Sequence, residues 1–222
     1  MELGSIGIIT EVSMLASTLE LPQEGHLEAV FHIFGYLKGH HNSRMVFHPT
    51  YPTPDMSMFQ EHDWCGFYGD VKEAIPPNAP EPRGKEVDLR IFVDSDHAGY
   101  KLTRQPRTGY IIFLNNAPID WLSKKQTTIE SSVFEAELVV MMIGMGTLQE
   151  LRYKVRMMGV TVLVPLLNYG DNIPVMHNTQ RPDSTSKKKS NSICYHAIRE
   201  SVAMKESRTG HVPSVDSLAY IC

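Results

Sequence analysis

Three carboxylates in this 222-residue chain stand where a hard cation could be held. Asp94 closes the apolar run Ile91, Phe92, Val93. Glu137 lies beside Phe134 and Leu138 in a helical pattern. Asp171 follows the apolar run 160–167. Strand ends are where open α/β sheets place their ligands. A carboxylate turned toward a core costs several kcal/mol unless positive charge neutralises it. Oxygen donors without a cysteine or histidine pair favour Mg2+ or Mn2+. Asp96, Asp120 and Glu130 read as ordinary cap, turn or surface acids. The phosphate cradles GxxxxGK[ST] and GxGxxG and the nucleophile elbow GxSxG are all missing.

The elements that must position these acids can be traced from periodicity. Val87 to Val93 reads as a strand, Gly109 to Leu114 as a second and Ala117 to Leu122 as a third. Asn115 and Asn116 form the turn between the last two, which predicts an antiparallel meander. Ser131 to Met145 has helical spacing, with Phe134, Leu138, Met141, Met142 and Met145 on one side. A separate helix is expected from Thr147 to Met158, stopped by Gly159. Val160 to Leu167 reads as a buried strand, although Pro165 counts against a fully central place. A helix over 193–207 and a short strand near His211 and Val212 follow. This mixed order predicts a sheet with helices on its faces.

Upstream, Leu27, Val30, Ile33, Phe34 and Leu37 form an apolar stripe that Gly39 ends, and Ile8 to Leu19 suits a shorter helix. Two helices alone cannot make a core, so residues 1–50 need a partner surface. Residues 51–86 carry Pro52, Pro54, Pro76, Pro77, Pro80 and Pro82 and read as an extended linker, part of which packs down through Trp64, Phe67 and Tyr68. The expected division is therefore 1–50, 51–86 and 87–222.

With 42% hydrophobic and 21% charged residues, the composition is that of a folded domain. No apolar stretch of about 18 residues occurs, and the start lacks a signal-peptide pattern. Cys65, Cys194 and Cys222 are scattered and form no CxxC pair, which points to a reducing, intracellular setting without structural zinc. A net charge of −4 argues against a stand-alone nucleic-acid binder, but a piece of a longer protein borrows basic surface from its neighbours.

The runs VDSDHAG (93–99), RTGYIIFLNNAPIDWLSKKQTTIESS (107–132), EAEL (135–138), GDN (170–172), KKSNSICYHAIRE (188–200) and HVPSVDSLAYI (211–221) occur in one order over about 130 residues. Together they resemble the ribonuclease H domain of copia-type retrotransposon polyproteins. EGHLEAVFHIFGYLKGHHNSRMVF (24–47) resembles the end of the reverse transcriptase in the same polyproteins.

The resemblance implies a ribonuclease H-like α/β fold: a mixed five-stranded sheet with helices on both faces, preceded by a helical N-terminal segment. Residues 1–50 would be the helical tail of a reverse transcriptase, and 87–222 a C-terminally truncated ribonuclease H-like domain. It implies cleavage of the RNA strand of RNA–DNA hybrids, with the reverse transcriptase portion as a partner, no membrane, and a cytoplasmic or particle location. The family's metal-binding, catalytic acids fall on Asp94, Glu137 and Asp171. They would hold two Mg2+ (or Mn2+) ions about 4 Å apart that activate water and stabilise the leaving oxygen. Residues two apart on a helix point to different sides, so Glu135 and Glu137 cannot both face the sheet. The resemblance implies Glu137, since the family's glutamate is the one followed by the apolar residue, here Leu138. Tyr220 stands where the family has a fourth acid, with Asp216 one turn earlier as a partial substitute, so weakened activity is expected. The alternative is an inactive relic that folds and at most binds nucleic acid or a polymerase partner. Arg107, Lys124, Lys125, Lys187, Lys188 and Lys189 are the candidate phosphate contacts.

Overall fold

The computed structural model describes residues 6–96, 105–126, 132–163, 165–186 and 191–221, with side chains as far as Ala219. Alternating residues build the meander. Strands β1 (Leu89–Asp96), β2 (Arg107–Leu114) and β3 (Ala117–Lys125) pair antiparallel, with Val93 opposite Tyr110 and Asp94 opposite Gly109. The β2–β3 turn puts Asn115 at φ 53, a left-handed conformation that asparagine tolerates. Strand β4 (Leu166–Gly170) lies parallel to β1, and β5 (Ser207–His211) parallel to β4, giving one mixed sheet in the order β3-β2-β1-β4-β5.

Period-two alternation sends β-strand side chains to two faces. On one face Ile91, Val93, Ile112 and Leu166 pack under α4 (Val133–Met157), α5 (Ile173–Gln180) and α6 (Ser192–Ala203), through Leu138, Met141, Leu148, Val175 and Ile198. On the other, Phe92, Ile111, Phe113, Leu167 and Tyr169 are covered by Phe59 and Ala219, and Phe92 stacks on Tyr169 at 4.9 Å. Helix α1 (Ile9–Ala16) also belongs to this second face. Its Ser13 hydroxyl accepts from the Arg107 guanidinium and donates to Ser123 O at 2.6 Å. Helix α2 (Glu24–Gly39) follows and leaves Leu27, Phe31 and Phe34 exposed. Helices thus lie on both faces.

The proline-rich stretch is laid against the sheet domain. Phe59 and Trp64 are buried, whereas Phe67 on the short helix α3 (Cys65–Tyr68) is exposed. The Arg199 guanidinium sits 4.9 Å from the Trp64 ring centre, and Tyr68 Oη and His196 Nδ1 are 2.7 Å apart. Glu73 pairs with Arg152 at 2.6 Å and with Arg156.

Four expectations about elements change. The helices expected over 131–145 and 147–158 are one helix, α4: Gly146 costs helix propensity, but burial of Met145 and Leu148 on either side outweighs it. The strand expected over 160–167 begins after Pro165, which removes a donor only at the strand's start, and Val162 makes just an isolated bridge to Val87. Helix α5 was not foreseen, although Asn172 caps it by accepting from Val175 N at 3.1 Å and Pro174 occupies its first turn. Helix α6 ends at Ala203, and β5 takes 207–211.

Candidate metal centre

Asp94 lies in β1 opposite Gly109. Asp171 is the first residue after β4, between the strand end and the Asn172 cap of α5. Glu137 sits in the second turn of α4. That helix approaches β1 so closely that a methyl group on Gly144 would lie 2.7 Å from Val93 Cγ1. Positions 137 and 144 share a helix face two turns apart, so the same close approach brings Glu137 to the end of β1. Each of the three carboxylates offers an oxygen within 4.8 Å of the others.

Among the described residues, Ser95 and Ser214 donate to them. The Ser95 amide donates to Asp94 Oδ1 at 2.8 Å and to Glu137 Oε1 at 3.2 Å. Asp171 Oδ2 accepts from Ser214 Oγ at 2.6 Å. Glu137 is 4% exposed. Burial first, then the charges of Asp171 and Asp94, pushes its carboxyl up to about 9. Asp94 is raised as well, by burial and then by Asp171. Crowded hard-oxygen donors that hold protons against their ordinary tendency fit a divalent cation, which supplies the missing positive charge.

The other expected residues are distributed differently. Glu135 is buried on α4 outside the three-carboxylate group. Asp216 is exposed and also stands outside it; the residue of the turn Ser214–Asp216 that reaches the group is Ser214. The Tyr220 side chain lies outside the described residues. Arg107 does not suit a phosphate contact: it is 4% exposed and its guanidinium is engaged by Ser13 beneath α1. Lys124 is exposed and Lys125 half-buried, and Lys187, Lys188 and Lys189 lie outside the described residues. Ser95 and Ser214 were not singled out from sequence. Ser95 was signalled only by adjacency to Asp94, and Ser214 only by its place in the HVPS run.

The sheet is the mixed five-stranded sheet with helices on both faces that the motifs imply, and the three acids that they single out come together from β1, α4 and the residue after β4. The chain is 27% identical over 208 residues to the retrovirus-related Pol polyprotein from transposon RE1 of Arabidopsis thaliana, and 26% identical over 208 residues to that from transposon RE2. Each match covers 94% of this chain and 12% of the relative's length. No family model matches. Among solved structures, the N-terminal RNase H domain of a Mycobacterium tuberculosis protein aligns with a TM-score of 0.43 at 12% identity, over 59% of this chain and 86% of that one. LC11-RNase H1 in complex with RNA/DNA hybrid aligns with a TM-score of 0.43 at 11% identity, over 59% of this chain and 89% of that one. Among the described residues no helix is long and apolar enough to cross a membrane.

Proposed function

We propose that the chain is the ribonuclease H part of a copia-type retroelement polyprotein, cutting the RNA strand of RNA–DNA hybrids with Asp94, Glu137 and Asp171 as the ligands of Mg2+ or Mn2+. The observation that carries this reading is the convergence of those three carboxylates from β1, α4 and the end of β4. A bound divalent ion would supply Lewis acidity toward the scissile phosphate and a water of lowered pKa.

The residues themselves account for binding and orientation. Glu137 is fixed by the packing of α4 on β1, and Asp94 by its strand and the Ser95 amide. Asp171 is fixed by the strand end and by Ser214. The Lys124 ammonium, exposed on the edge strand β3, is free to meet a backbone phosphate. The reverse transcriptase portion is the expected partner of residues 1–50, whose α2 keeps Leu27, Phe31 and Phe34 exposed.

The second reading, a folded relic that binds hybrid without cutting it, rests on Tyr220 at the family's fourth-acid position and on Asp216 standing outside the group. One assay separates the two: purified chain, a labelled RNA–DNA hybrid, and Mg2+ or Mn2+. Cleavage that Asp94→Asn and Glu137→Gln abolish supports the nuclease. Binding without cleavage in either metal supports the relic.

A further inference from the structure

We propose that Ser214 is a positioning residue of the carboxylate group, holding Asp171 for the cation through its hydroxyl; this rests on the reading that Asp94, Glu137 and Asp171 bind a divalent ion. Ser214 Oγ donates to Asp171 Oδ2 at 2.6 Å, within the short range of hydroxyl–carboxylate hydrogen bonds. The contact is set by the backbone on both sides. Before it, Gly170 pairs with His211 in the parallel β4–β5 ladder, and Val212 N donates to Gly170 O at 3.0 Å, carrying the pairing one residue past β5. Pro213, at φ −57 and ψ 143, then turns the chain into the 3-10 turn Ser214–Asp216. After it, Ala219 is fully buried against Phe92, Ile111 and Phe113. The segment 212–219 is therefore pinned at its two ends, with Ser214 over Asp171 between them.

The three carboxylates divide their donors accordingly. The Ser95 amide serves Asp94 and Glu137, and Ser214 serves Asp171. A donor on Oδ2 fixes the carboxylate's rotation and leaves Oδ1 for the ion. Outer partners of this kind typically contribute 10–100-fold to metal affinity. The Ser214 hydroxyl is neutral, so it orients Asp171 without adding to the charge of the site.

The test is Mn2+ affinity of the full chain, read from the electron paramagnetic resonance of the free ion, for wild type, Ser214→Ala, Ser214→Thr and Asp171→Asn. Ser214→Ala is expected to bind Mn2+ about tenfold more weakly, and Ser214→Thr, which keeps the hydroxyl, to bind as wild type does. Ser214 is exposed, so both variants keep the core intact. Wild type that binds no Mn2+, or no more than Asp171→Asn does, overturns the carboxylate centre and this role with it. Wild type that binds while Ser214→Ala binds equally tightly overturns the role of Ser214 alone. Amide hydrogen exchange of 212–219 in the metal-free chain completes the test. Faster exchange in Ser214→Ala with unchanged Mn2+ affinity makes Ser214 a clasp for that segment and overturns its positioning role.

Discussion

Gly144 and Val93 stand so close that a methyl on the glycine would meet Val93 Cγ1 at 2.7 Å and Ile91 Cδ1 at 3.0 Å, and both side chains are fully buried. This approach sets the distance between α4 and β1, and through it the place of Glu137. Gly144→Ala gains up to about 1 kcal/mol of helix propensity but overpacks at a cost of about 1–3 kcal/mol. Net destabilisation and weaker Mn2+ binding are expected. Val93→Ala makes room, so the double variant should be more stable than the sum of the single changes by about 1 kcal/mol. Chemical denaturation of the four proteins measures this. Strict additivity would mean that the helix spacing is set elsewhere.

Glu137 makes the metal-free chain sensitive to base. Its carboxyl ionises near 4.5 in the unfolded chain and near 9 in the folded one, so between those values the folded state holds the extra proton. Stability contributed at low pH is then lost as pH rises, at up to about 1.4 kcal/mol per unit. With chelator present, Glu137→Gln should match wild type near pH 4 and exceed it in melting temperature at pH 8. On the proposed metal site, saturating Mn2+ should narrow that gap, because the substitution removes one of the three carboxylate ligands. A stability difference that does not change with pH would show that burial of Glu137 carries no penalty.

The proline-rich stretch is tied down by charge. Arg152 is 1% exposed and pairs with Glu73 at 2.6 Å and Glu206 at 3.3 Å. Glu73→Gln leaves a buried cation with one carboxylate instead of two, a loss of about 1–3 kcal/mol. That corresponds to a fall of several degrees in melting temperature for a chain of this size. Limited proteolysis of the variant should cut first within 69–86. First cuts inside α4 would mean that this stretch is not the weakly held part of the molecule.

The meander and the three acids were legible because each leaves a local mark. Residues 89–96, 107–114 and 117–125 are strand-forming segments joined by a recognisable turn, and Asp94 and Asp171 follow apolar runs. Helix geometry says only that Glu135 and Glu137 face different sides; the motif, with its glutamate followed by an apolar residue, singles out 137, and 137 is the one that joins the group. What stayed hidden depends on partners far along the chain. Arg107 has the sequence context of a surface cation, and only the distant Ser13 shows it buried. Glu73 in a proline-rich run gives no sign of Arg152, and Ser214 gives none of Asp171. Continuity of α4 through Gly146 is also a tertiary outcome, since local propensity favours a break there.

Lys124 and Arg107 lie on neighbouring strands, and their variants should behave oppositely. Lys124 is exposed, and a phosphate contact there adds to affinity through counterion release. In the Glu137→Gln background, which the proposed mechanism expects to leave the hybrid uncut, Lys124→Ala should weaken binding of a labelled RNA–DNA hybrid. It should also lower the slope of log affinity against log salt by about one, with stability unchanged within about 0.5 kcal/mol. Arg107 is buried and anchors α1 through Ser13, so Arg107→Met should leave the salt slope alone and change the melting temperature instead. Fluorescence anisotropy over a salt series, paired with thermal denaturation, reads both effects. An equal drop in slope for Arg107→Met would mean that Arg107 does reach the hybrid and that α1 lifts away when the hybrid binds.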